Sequence, residues 1–84
     1  MSSEAWSFGT LKWFRFMDGY GFVVPDGGGE DVMIHASKFL GERGRQAHRE
    51  SGARVAYVPI NTVDGRVAAK KWNWADAPGR QNGH

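Results

Sequence analysis

Glycine and proline punctuate this chain at short intervals, 12 Gly and 3 Pro in 84 residues. They cut it into brief runs of aromatic and β-branched residues, and almost nothing reads as helix. Such runs, bounded by turn residues, are the all-β pattern. Strands are expected over 7–16, 20–24, 31–35, 54–61 and 66–74. Met17-Asp18-Gly19 is a tight turn with Gly19 free to take positive φ. Pro25 through Gly29 is a loop, and Val63-Asp64-Gly65 a second turn. Pro59 marks an edge or a bulge in the fourth strand, because proline cannot donate to a ladder. A long polar connection fills 36–53. The expected domain runs over 6–74, with residues 1–5 and the tail 75–84 disordered for want of apolar anchors.

Five short antiparallel strands with one long gap between the third and fourth suggest a small Greek-key barrel of the oligonucleotide-binding type. Closure also removes the exposed edges that a chain this short could not otherwise cover. Cysteine is absent, which removes disulfides and thiolate metal sites and favours a reducing, cytoplasmic setting. No apolar run reaches the roughly 20 residues that span a bilayer. The start, Met1-Ser2-Ser3-Glu4, lacks the basic and apolar stretches of a signal peptide.

The net charge of +2 says little alone; its distribution says more. Asp18, Asp26, Glu30 and Asp31 fall in a stretch with no Lys or Arg. Lys38, Arg43, Arg45, Arg49 and Arg54 outnumber Glu42 and Glu50 in the next, and Arg66, Lys70 and Lys71 follow. Segregated cations are expected of a protein with one basic face.

Strand alternation assigns the sides. Gly21, Val23, Val32 and Ile34 supply the core, so Tyr20, Phe22, Met33 and His35 point outward together. Lys12 and Phe14 are expected on this outer face, with Leu11 inside. Trp13 breaks the alternation and needs a bulge or a twist to reach the face. Phe39, just after the third strand, is expected in the core. Trp6, Phe8, Trp72 and Trp74 either cover one end of the barrel side by side or extend the outer face. A cluster of exposed rings implies a ligand that stacks. Unpaired nucleobases do so, at about 1–3 kcal/mol per base. The expected partner is therefore single-stranded RNA or DNA, with Lys12, Arg15, Lys38, Arg43 and Arg45 on the phosphates.

The blocks Gly9-Thr10-Leu11-Lys12-Trp13-Phe14, Gly19-Tyr20-Gly21-Phe22-Val23, Pro25-Asp26 and Asp31-Val32-Met33-Ile34-His35 with Ser37 resemble the cold-shock domain in order and spacing. The second block is similar to that family's first ribonucleoprotein motif, and the fourth to its second. The likeness weakens through 38–51 and returns faintly at 52–58. It implies a five-stranded barrel that binds single-stranded nucleic acid with modest base preference, in many bacterial members as an RNA chaperone. The chain departs from the pattern in several places. Met33 stands where the family has Phe, Ala36 where it has an aromatic, Asp18 where it has Lys, and Arg15 where it has Asn. The family's loop aromatic has no clear counterpart, and Arg43, Arg45, His48 and Arg49 occupy that connection instead. Arginine can itself stack on bases.

No catalytic constellation is visible, so the chain is not expected to be an enzyme. His35, His48 and His84 have no metal-ligand spacing, and Gly27-Gly28-Gly29 lacks the Lys-Ser/Thr of a phosphate loop. Neither cofactor, metal, membrane nor small-molecule substrate is implied. The expected state is a monomer, with a dimer left open. A second reading follows from Asp18, Met33 and Ala36, which erode the stacking site: a degenerate cold-shock fold used as a protein-interaction module.

Overall fold

The computed structural model describes residues 5–41 and 50–75. Five strands form in the expected places: β1 (Ser7–Arg15), β2 (Tyr20–Pro25), β3 (Val32–His35), β4 (Arg54–Asn61) and β5 (Val67–Trp74). A 3-10 turn, Ala36–Lys38, opens the connection after β3. The termini expected to be disordered, and Arg43 and Arg45 in that connection, fall outside the described residues, apart from Ala5 and Ala75.

The strands close into a barrel in the order β1-β2-β3-β5-β4, with β4 returning to β1. Four pairings are antiparallel. The fifth, β3 on β5 at Met33 and Ala68, is parallel, which corrects the expectation of antiparallel strands throughout. The reason is arithmetic: strand directions cannot alternate all the way round a ring with an odd number of members, so one seam must join like directions.

Alternation holds along β2 and β3. Val23, Val32 and Ile34 are buried with Leu11, Val55, Tyr57, Ala69, Trp72 and Trp74 in one cluster. Each aliphatic side chain buried there contributes about 1.5–3 kcal/mol. The indole Nε1–H of Trp72 donates to the His35 carbonyl at 2.8 Å, so burying that polar group leaves no donor unpaired. Phe39 packs on Trp72 at a centroid distance of 4.6 Å and is half-buried over the core, as expected.

Two irregularities shape the barrel. The register steps from Leu11 opposite Val23 to Trp13 opposite Phe22, so Lys12 is the bulged residue. The second shift falls at Val58 and Pro59, where Lys70 is the extra residue on β5. Pro59 lies past the last β1 partner of β4, so its missing N–H costs no bond on that side. The expected edge and the expected bulge thus coincide.

Trp72 and Trp74 are core residues and do not extend the outer face. β4 lies between β1 and β5, so the first and last strands are not paired with each other. Where β1, β2 and β4 meet, Arg54 donates to both carboxylate oxygens of Asp26, at 2.9 and 2.6 Å, and to Thr10 Oγ1 at 3.0 Å. One guanidinium thereby joins β1, β4 and the end of β2.

Candidate nucleic-acid interface

The bulge at Lys12 decides which first-strand side chains reach the outer face. Inserting one residue reverses the parity of those after it. Trp13 consequently turns outward opposite Phe22, and Phe14 falls opposite Gly21 on the inner side. A Cβ on Gly21 would overlap the Trp13 carbonyl oxygen and lie 2.7 Å from Phe14 Cδ2. Only glycine allows β1 to approach this closely. Phe14 is half-buried against the core, 5.1 Å from the Phe16 ring and 6.0 Å from Trp72. Its expected place on the outer face is corrected accordingly.

The remaining outward residues form two rows across three strands. One runs Trp13, Phe22, Met33; the other runs Arg15, Tyr20, His35. Residues two apart on a strand put the rows about 7 Å from each other. Trp13 meets Phe22 edge-on at 5.2 Å and Tyr20 at 5.7 Å, and Tyr20 meets Phe22 at 6.2 Å. Edge-to-face packing of this kind is favourable and fixes ring orientation. The rings are half-exposed and mutually braced before any ligand arrives.

Two of the cations around this platform are already engaged. Lys12 Nζ bonds Asp31 at 2.8 Å. The Arg15 guanidinium lies 5.2 Å from the Trp13 ring centroid and 3.9 Å from the Asp18 carboxylate. Lys38 is exposed at the end of the 3-10 turn. His35 is exposed, and its Nδ1 accepts the Ser37 backbone N–H at 3.1 Å. An accepting Nδ1 carries no hydrogen, so the neutral ring keeps its proton on Nε2 as an outward donor.

Beside Trp13 and Phe22 opens a cavity of about 610 Å³, bounded by Lys12, Glu30, Asp31, Asp64, Gly65 and Arg66. A smaller hollow of about 200 Å³ continues past Met33 to Val67 and Ala68. The 62–66 turn was legible in the sequence only as a turn; the parallel seam is what carries it to the rings. Asp64 accepts from Thr62 Oγ1 and from the Arg66 N–H. The Thr62 hydroxyl, first, and that backbone bond hold its carboxyl below the usual carboxylate range. The site thus combines stacking surfaces with carboxylate acceptors and the cations Lys12, Arg15, Lys38 and Arg66. Among the described residues no cluster of His, Cys, Asp or Glu could hold a metal ion, and no helix is long and apolar enough to cross a membrane.

A closed five-stranded barrel with outward rings on its first three strands defines the oligonucleotide-binding type of β-barrel. Residues 7–73 match the 'Cold-shock' DNA-binding domain family, and the chain belongs to that family, whose fold is a nucleic-acid-binding one. It is 39% identical over 62 residues to cold shock protein CspA of Rhizobium meliloti, covering 73% of this chain and 87% of that one. Glycine-rich protein 2 of Nicotiana sylvestris is 36% identical over 75 residues, 89% of this chain and 34% of that protein. Protein lin-28 of Caenorhabditis briggsae is 46% identical over 59 residues, 70% of this chain and 24% of that one. The chain therefore spans about a third or less of these two longer relatives. A solved structure of drosophila Unr CSD456 superposes with a TM-score of 0.68 over 95% of this chain and 30% of that one. At 16% identity that likeness is one of fold.

Proposed function

We propose that this chain binds single-stranded RNA or DNA by stacking unpaired bases on Trp13, Tyr20, Phe22, Met33 and His35. Lys12, Arg15 and Lys38, with Arg43 and Arg45 of the following connection, meet the phosphates. Phe14 supports the rings from the core side. The observation that carries this reading is the pair of outward rows, because braced, half-exposed rings on one sheet face match a ligand that is itself a row of π-faces. Bases inside a duplex cannot reach such a face. Binding therefore traps the unpaired state and shifts melting by mass action, with no fuel required. That is the chemistry of an RNA chaperone or antiterminator, acting as a monomer in the cytoplasm, without cofactor or catalysis.

Titration with a short pyrimidine oligonucleotide, followed by tryptophan fluorescence, tests it. Trp13 is the indole that packs with Tyr20 and Phe22, while Trp72 and Trp74 are buried and Trp6 sits against Lys71 of β5. Quenching should survive Trp6→Phe and vanish in Trp13→Phe. The carboxylates Asp18, Glu30, Asp31 and Asp64 around the rings favour a second reading, a protein-interaction module. An oligonucleotide that fails to quench even at low salt decides for it.

A further inference from the structure

The hollow beside the stacking rings is made by two features that the sequence separates widely. The Lys12 bulge supplies Lys12 and Trp13, and the parallel seam brings in the 62–66 turn. Trp13 and Phe22 form one side of the cavity, and Glu30, Asp31 and Asp64 line the rest with Lys12 and Arg66. Its volume of about 610 Å³ falls in the range of small-ligand sites. The acids are anchored in place. Glu30 Oε2 accepts the Val67 N–H at 3.3 Å, and Asp31 Oδ2 accepts from Lys12 Nζ. Asp64 takes its bonds from Thr62 Oγ1 and the Arg66 N–H on Oδ1, and Oδ2 takes neither. Among the described residues no group of acids could hold a metal ion, so these carboxylates are spread along a wall and not gathered at a point.

A wall of this kind has a definite preference. Three carboxylates against two cations make it net negative, so phosphate is disfavoured there and the edge of a neutral base is not. An ionised carboxylate only accepts hydrogen bonds, so that edge must donate. Thymine and uracil present one N–H between two carbonyl oxygens, and would set an oxygen against the wall. Cytosine and adenine present one amino group beside a bare acceptor. Guanine alone presents two neighbouring donors, N1–H and N2–H2, with O6 beside them for Lys12 or Arg66. Two parallel N–H groups are also the pattern that a carboxylate takes bidentately.

We propose that this cavity selects guanine, with Asp64 as a base-reading residue that accepts from its Watson–Crick edge. The proposal rests on the stacking reading, since a base must lie against Trp13 and Phe22 to put that edge in the hollow. Hexathymidylate, and derivatives with a single guanine at each position in turn, titrated onto the full chain and followed by tryptophan fluorescence, test it. The best-placed guanine should tighten binding by roughly 5- to 150-fold, the range for one good base-edge contact. Hypoxanthine at that position stacks as a purine but lacks the N2 amino group, and should lose most of the gain. 7-Deazaguanine keeps the whole edge and should match guanine. In Asp64→Asn the amide oxygen stays on the Thr62 and Arg66 bonds, which puts an amide N–H2 group where Oδ2 stood. That variant should bring the guanine-to-hypoxanthine affinity ratio close to one. Equal binding of guanine and hypoxanthine at every position, with hexathymidylate still quenching, overturns this inference and leaves the platform standing. So does a guanine preference that Asp64→Asn leaves untouched. If no oligonucleotide quenches, the stacking reading itself fails and this one falls with it.

Discussion

Trp13 and Phe22 face each other across the β1–β2 ladder with ring centroids 5.2 Å apart, and they do so because Lys12 is looped out of the pairing just before. The two rings act as one surface. Phe22 is half-exposed and outside the core cluster, so Phe22→Ala should leave the fold intact. It should weaken single-strand binding by about 1–3 kcal/mol, the worth of one stacked base. Calorimetric titration with a pyrimidine hexamer reads the loss, and equal affinity in the variant would remove Phe22 from the platform.

Arg15 is shared between the Trp13 ring and the Asp18 carboxylate. An exposed pair of this kind is worth roughly 0.2–1 kcal/mol. Asp18→Asn should release the guanidinium toward phosphate and remove a like charge from the ligand's path, tightening binding by up to a few-fold at low salt. Arg15→Ala should reduce the salt slope of log K by about 0.7. Affinity measured from 50 to 300 mM salt separates the two. An Asp18→Asn chain that binds more weakly would mean that Asp18 is a positioning group for Arg15.

Tyr20, Phe22, Met33 and His35 were legible from alternation because β2 and β3 pair without a register shift. Phe14 was not, since a single inserted residue reverses every side chain after it, and nothing local marks Lys12 as that residue. Trp72 and Trp74 resisted assignment for another reason. Their surroundings depend on which strands become neighbours, and the order β3-β5-β4 is a property of closure rather than of any local stretch. The same parallel seam brings Asp64 and Arg66 to the rings. Their turn residues announced only a change of direction.

Gly21 is where the platform is most sensitive to a single methyl group. An alanine Cβ would run into the Trp13 carbonyl and the Phe14 ring, and β1 would have to move outward. Overpacking of this kind costs about 1–3 kcal/mol. Gly21→Ala should lower the urea midpoint at an unchanged m-value. Binding should fall with it, because the displaced strand carries Trp13. Gly27, whose Cβ would meet nothing within 4 Å, supplies the comparison: Gly27→Ala should be close to neutral in both assays. Equal midpoints for the two variants would show that β1 yields without cost.

The Asp26–Arg54 pair ties β4 to the end of β2, and it gives stability a dependence on pH whose sign can be worked out. The hydrogen bonds from Arg54, first, and its charge hold the Asp26 carboxyl below the usual carboxylate range. In the unfolded chain that carboxyl titrates near about 3.9. Below that value the unfolded state binds more protons than the folded one, so the contribution is fully present above it and is lost as pH falls through the lower, folded value. Asp26→Asn removes the charge at every pH. Thermal unfolding from pH 6 to pH 2.5 should therefore show the largest gap between natural and variant chains at pH 6, narrowing below pH 4. Asp64 and the other carboxylates are common to both chains and cancel in the difference. A gap that stays constant across the range would mean that Asp26 contributes through packing or a neutral hydrogen bond, and that its charge does no work against Arg54.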